Sequence, residues 1–181
     1  MNETEDDELV GRVLAGDDAA FGDLVARYQG LIFNLALRML GNAEDARDVA
    51  QTVFMKAWRK LSTFDRGSRF FSWIYRISLN EILNQRRARR TTAPLDEALP
   101  ATEPGPEQDH ESTVRTAAVQ EALMELRQAD RELVVLHHLL RLSHREIAEL
   151  HHVPEKTVKS RLFTARQRLE VHLRRRGFGP S

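Results

Sequence analysis

Between Thr91 and Ser112 the chain reads TTAPLDEALPATEPGPEQDHES, a stretch holding four of the six prolines and no Lys or Arg. So little apolar surface cannot offset the conformational entropy of ordering the segment, and proline together with like charge keeps it extended. The 181-residue chain is therefore interrupted near its middle, and a single continuous core is excluded. The expected organisation is a first domain over residues 1–90, a flexible acidic linker over 91–112 and a second domain over 113–181. With 41% apolar residues overall, two modest cores can be built, each small enough to depend on good packing.

On both sides of the linker the apolar residues recur at helical spacing, with no strand-like alternation and no internal repeat, so the expected class is all-α. Phe21, Leu24, Val25, Tyr28, Leu31, Ile32, Leu35 and Met39 form one broad stripe over a helix from Ala19 to Leu40, with Asp17 or Asp18 as its cap. Gly41 and Asn42 stop it and open a second helix carrying Ala46, Val49, Ala50, Val53, Phe54, Ala57, Trp58 and Leu61. Ser68 is placed to cap a third, running to about Arg90 with Phe71, Ile74, Ile77, Ser78 and Ile82 turned inward. In the second domain Ser143 and Glu146 have capping-box spacing, and HHVP ends the helix they begin. Another helix follows Pro154, with Val158, Leu162, Ala165 and Leu169 inward.

The net charge is zero, yet it is distributed in blocks: −5 over residues 1–65, +6 over 66–90, −6 over 91–113, −1 over 114–152 and +6 over 153–181. Two separated basic blocks offer two seats for a polyanion, with acidic surface between them. No cysteine is present, so disulfides and Cys-based metal sites are excluded. The acidic start MNETEDDELV is unlike a signal peptide, and no apolar run is long enough to span a bilayer. The expectation is a cytoplasmic protein with no direct membrane insertion.

The first basic block, STFDRGSRFFSWIYRISLNEILNQRRARR, interleaves Phe64, Phe70, Phe71, Trp73 and Tyr75 with Arg66, Arg69 and Arg76. Aromatic rings among cations suit unpaired bases, each stacked base being worth ~1–3 kcal/mol. The same rings, Phe71, Trp73 and Tyr75 above all, serve equally well as core. In the second block, the cap, the short turn and the inward Ala148 describe a helix-turn-helix. Lys156, Thr157, Lys159, Ser160, Arg161, Phe163 and Thr164 then occupy the outward positions from which a recognition helix meets the major groove.

DARDVAQTVFMKAWRKL, FFSWIYRISLNEILNQRR and SHREIAELHHVPEKTVKSRLFTARQRL, in that order and split by an acidic linker, resemble the extracytoplasmic-function (ECF) sigma factors of the bacterial sigma-70 family over nearly the whole chain. The resemblance implies that the first domain, like sigma region 2, binds the clamp helices of the largest subunit of core RNA polymerase and opens the minus-10 element. The second, like region 4, reads the minus-35 element and touches the polymerase flap. It also implies a polymerase-binding role for Asp48, Gln51, Val53 and Phe54. The minus-10 surface it implies comprises the loop Ser62–Arg69 with Phe64, Arg66, Arg69, Phe70, Arg76 and Asn80, where an asparagine amide suits the Watson–Crick edge of a flipped base. An anti-sigma factor is the implied regulator, and promoter DNA, duplex and single-stranded, the implied ligand. Two positions depart from the family pattern: Thr164 stands where a basic residue is frequent, and Lys156 where glycine is.

Five of the seven histidines, His137, His138, His144, His151 and His152, fall within a sixteen-residue stretch of the second domain, but their spacing matches no metal motif such as HExxH. No cofactor is expected, and no convergent acid, base or metal ligands point to an enzyme. The competing function is a free-standing helix-turn-helix repressor or activator. Such a protein would bind duplex DNA unaided as a dimer and would have no use for the aromatic and basic segment after Phe64.

Overall fold

A computed structural model describes residues 3–92 and 110–178. Among these residues the elements are helical and no strand is found: α1 (Glu3–Leu14), α2 (Asp18–Leu40), α3 (Ala43–Lys60), a 3-10 turn (Leu61–Thr63), α4 (Phe70–Thr92), α5 (His110–Glu125), α6 (Gln128–Val134), a π segment (Val135–Leu139), α7 (His144–His151) and α8 (Glu155–Arg175). The chain divides into two compact units, Met1–Ala36 with Glu44–Glu97, and Leu37–Ala43 with Ala98–Ser181. Helix α4 runs to Thr92 and α5 begins at His110, so both helices extend a little way into the stretch expected to be a linker. Its central residues lie outside those described.

In the first unit α2 buries Leu24, Tyr28, Ile32 and Leu35, α3 buries Val49, Val53 and Ala57, and α4 buries Phe70, Ile74, Tyr75 and Ile82. These are the inward stripes of the sequence pattern, at i, i+3 and i+4. Ser78 sits fully buried among them because its hydroxyl donates to Ile74 O at 2.8 Å, so no polar group is orphaned. Gly41, at φ 78°, ends α2 in the left-handed region that glycine enters without strain, and its N–H donates to Leu37 O at 2.8 Å.

Two local expectations are corrected. Ser68 does not cap α4, which starts two residues later; its hydroxyl donates to Asp65 O at 2.8 Å and closes the preceding turn instead. Sequence periodicity also gave no helix before Ala19, yet α1 is present and packed. Asp6 on α1 is 2% exposed, where it accepts from Tyr28 Oη and, at 2.8 Å, from Arg27 Nη1. A buried carboxylate satisfied by a hydroxyl and a guanidinium is stable only while both donors stay in place.

In the second unit α6 and α7 both pack on α8, and α5 packs on α8 as well. Arg131 is 2% exposed, with its guanidinium donating to Leu123 O and Met124 O, each at 2.7 Å, at the end of α5. Those carbonyls fall in the last turn of α5, where the regular i+4 ladder runs out, so the buried cation serves as a C-terminal cap from outside the helix.

Candidate functional site

Three surfaces carry the residues singled out by sequence. On α3, Asp48 and Gln51 are exposed and Phe54 is half-buried. Val53 is 0% exposed; it points into the core and supports the surface from beneath, which corrects its reading as a contact residue. Trp58 is displaced in the opposite sense. It was counted among the inward positions but is 42% exposed, and Met55 beside it is 48% exposed. Together with Phe21 and Val25 of α2, the residues Gln51, Phe54, Met55 and Trp58 line an open apolar groove of about 460 Å³. The Phe21 and Trp58 rings meet edge-on at 4.9 Å. Sequence did hold a signal for this groove: Ala50, Phe54 and Trp58 form an i, i+4, i+8 row beside the row Ala46, Val49, Val53, Ala57, and one helix face cannot bury both.

The second surface is the loop after α3. Phe64 and Phe70, at 6% and 2% exposed, are core residues, so their assignment to base contact is corrected. Phe64 and Phe70 each meet Trp73, at 5.3 Å and 5.6 Å, and Phe70 also meets Tyr28 at 5.4 Å. This ring cluster closes the loop onto the helices, each pair adding ~0.5–1.5 kcal/mol beyond area burial. Asp65 shapes the turn: its Oδ1 accepts from Gly67 N at 2.9 Å and its carbonyl from Ser68 N at 2.9 Å. The cations end up outside. Arg66, Arg69, Arg76 and Asn80 are exposed, and Arg69, Trp73, Arg76 and Asn80 follow one another at spacings of four, three and four. Arg66 Nη2 donates to Asp7 O at 3.2 Å, which fixes the loop against α1.

The third surface is α8. The capping box that starts α7 is complete, with Ser143 Oγ accepting from Glu146 N at 3.2 Å and Glu146 Oε2 accepting from Ser143 N at 2.8 Å. His152 at φ 53° ends α7, Val153 N donates back to Ala148 O at 3.0 Å, and Pro154 stands as the N-cap of α8. Ile147, Ala148 and Leu150 on one helix and Val158, Leu162 and Ala165 on the other are buried. The predicted outward set is outward: Lys156, Lys159, Ser160, Arg161, Phe163 and Thr164 are exposed, and Thr157 is half-buried. Phe163 is 63% exposed, an isolated ring among cations. The Thr164 hydroxyl donates to Ser160 O at 3.2 Å, so it presents a methyl group and an acceptor outward. Lys159 pairs with Glu155 at 2.8 Å and, through that hydrogen bond, holds the carboxyl of Glu155 below the usual range.

Among the described residues no group of three or more His, Asp or Glu is arranged to hold a metal ion, and no helix is long and apolar enough to cross a membrane. What the surfaces offer is recognition: one apolar groove with the Gln51 amide in its lining and the exposed Asp48 on the same helix, and two cationic faces on separate units.

Comparison with known proteins matches both units. The family model for sigma-70 region 2 covers residues 24–92, and that for sigma-70 region 4 covers residues 111–169. The RNA polymerase sigma-H factor of Pseudomonas aeruginosa is 34% identical over 185 aligned positions spanning 96% of each chain. The ECF RNA polymerase sigma factor SigW of Bacillus subtilis is 32% identical over 177 positions, covering 91% of this chain and 95% of that one. Among solved structures, CnrH in complex with the cytosolic domain of CnrY superposes with a TM-score of 0.70 at 30% identity, over 93% of this chain and 97% of CnrH.

Proposed function

The chain belongs to the extracytoplasmic-function sigma factors of the sigma-70 family, and on that premise we propose which of its surfaces meets RNA polymerase and which meet promoter DNA. As a sigma factor it directs RNA polymerase to promoters. We assign the α2–α3 groove, with Asp48, Gln51 and Phe54 on its α3 side, to the polymerase. Desolvated apolar and aromatic anchors beside a few polar groups are the composition of a protein-binding patch, and Met55 and Trp58 extend that patch past the residues the resemblance assigns to polymerase binding. Arg66, Arg69, Arg76 and Asn80 meet the minus-10 region as it opens. The buried rings of Phe64 and Phe70 set the shape of this surface without touching bases. Lys156, Thr157, Lys159, Ser160, Arg161, Phe163 and Thr164 meet the minus-35 duplex, with Phe163 and the Thr164 methyl suited to thymine methyl groups.

The observation that carries this reading is the separation of two cationic faces onto two helical units, each closed beneath by its own core. One protein then holds two promoter elements at a spacing only an assembled polymerase complex can set. The domains assigned are accordingly a region 2 unit over residues 1–90 and a region 4 unit over 113–181. The protein acts in the cytoplasm, and an anti-sigma factor controls it by covering the polymerase-binding face; the complex of the similar CnrH with the cytosolic domain of CnrY supports that expectation. Run-off transcription from a cognate promoter with core polymerase, with and without this protein, tests the reading. Promoter-specific transcript in its presence alone is the expected result. Sequence-specific duplex binding by the protein without polymerase, at nanomolar affinity and physiological salt, would instead favour the free-standing regulator.

A further inference from the structure

Beside α8 the second unit gathers three imidazoles. His137 and His138 stand on the π segment and His144 opens α7. The His137 and His144 rings stack at 4.8 Å with 13° between their planes, and His138 meets His137 edge-on at 4.9 Å. Hydrogen bonds fix two protonation sites. His137 Nδ1 lies 2.9 Å from Leu142 O, so that nitrogen carries its hydrogen and donates. His138 Nε2 accepts from Arg166 Nε at 3.0 Å, so that nitrogen is bare and the ring is neutral.

The groups facing these rings are mostly cations. Burial first, then Arg166, His137 and Arg141, hold the His138 imidazole below its ordinary range. Burial, His137, Lys159 and Arg166 do the same for His144, opposed by Glu155, whose carboxylate is already paired with Lys159 at 2.8 Å. Lys159, Phe163 and Arg166 fall at i, i+4 and i+7 on α8 and so share one stripe. This edge of α8 therefore faces the rings chiefly with cations, which add to burial in disfavouring a proton on His138 and His144.

We propose that the His137–His138–His144 cluster with Arg166 is a phosphate seat of the second unit, and that it takes up a proton from solvent when duplex DNA binds, so that affinity for the upstream duplex rises as pH falls. The inference rests on the assignment of α8 to duplex DNA. A backbone phosphate supplies the missing countercharge, Arg166 transfers its N–H from His138 to a phosphate oxygen, and Nε2 of His138 accepts the proton it could not hold before. Phosphate binding and imidazole protonation then favour each other by linkage.

The test uses the full chain and a short promoter-like duplex at low salt. Imidazole resonances are followed by NMR across the pH range with and without saturating duplex, and affinity is measured at about pH 7.5 and about pH 6. The expected result is that the His138 and His144 midpoints rise when duplex is bound and that affinity tightens about three- to tenfold on acidification. The variant H138Q/H144Q, which keeps hydrogen-bonding side chains but cannot titrate, then loses most of that pH slope. Midpoints unmoved by bound duplex, or an unchanged slope in the variant, overturn the proton linkage alone. Absence of duplex binding at either pH overturns the α8 assignment along with it. Should the variant not fold, the titration of the parent protein decides by itself.

Discussion

The loop after α3 and the first turns of α8 look alike in sequence, each setting aromatic rings among arginines or lysines, yet the two regions turn those rings in opposite directions. Phe64 and Phe70 are 6% and 2% exposed, whereas Phe163 is 63% exposed. Both places combine aromatic and cationic side chains, five rings in the first and Phe163 in the second; what decides exposure is the position of each ring relative to the buried stripe. Phe70 precedes Ile74 by four residues and falls on the row that packs against Tyr28. Phe163 follows Leu162, which is buried, and is rotated about 100° away from it on the helix. An aromatic ring among cations therefore identifies a contact surface only where the helix has already spent its inward positions on other residues.

The most severe way to break this comparison is Phe70→Ala. Removing a ring that touches Phe64, Trp73 and Tyr28 leaves a cavity and should cost about 3–5 kcal/mol of stability in the first unit, read by chemical or thermal unfolding. Near-neutral stability would mean that the loop rings are not core, and would restore Phe64 and Phe70 as candidates for base contact. A middle-sized effect is expected for Arg161→Ala on α8, which is exposed and should leave stability alone. Promoter use should fall by about 1–3 kcal/mol if the guanidinium reads a base, or the salt slope should fall by about one if it meets a phosphate. Transcription assays over a range of salt concentrations separate these outcomes.

Phe163→Ala sharpens the comparison from the other side. The ring is mostly in water, so its loss should change unfolding stability by no more than about 0.5 kcal/mol, while promoter-dependent transcription falls because an apolar base contact is gone. A large loss of stability would show that Phe163 packs in a way its exposure does not suggest.

The parts of the fold legible in the sequence are those decided locally. The helix-turn-helix could be read residue by residue because its signals are short-range: a capping box within four residues, a turn before proline, and a buried row Val158, Leu162, Ala165. Helix α1 escaped because its acidic sequence ETEDDELVGRVL reads as solvated surface; its burial rests on Val10 and Val13 and on the partners of Asp6 on α2, Tyr28 and Arg27. Arg131 escaped for the same reason, since besides the carbonyls of Leu123 and Met124 its guanidinium donates to Met39 O at 2.6 Å, 92 residues away in the chain. On α3 the motif residues Asp48, Gln51 and Phe54 were visible, but the groove required knowing that α2 brings Phe21 to Trp58. Charge and cap chemistry travel in the sequence; pairings made across tens of residues do not.

The smallest expected effect concerns the histidines beside α8, where the same distinction between inward and outward residues is set by protons. His138 lies below its ordinary titration range in the folded protein, chiefly through burial and then through Arg166. The unfolded chain therefore binds more protons than the folded unit as pH falls through the ordinary imidazole range, near 6.5, and stability must decline on acidification across that interval. Above it both states are neutral and the contribution is constant. Because much of the His138 side chain still meets solvent, screening keeps the decline shallow. In H138Q the side chain can still accept from Arg166 but does not titrate, so unfolding followed between about pH 7.5 and pH 5.5 should show a flatter dependence than in the parent. An equal or steeper decline in the variant would place the acid sensitivity elsewhere in the unit, and would separate the behaviour of the fold from that of the surface beside α8.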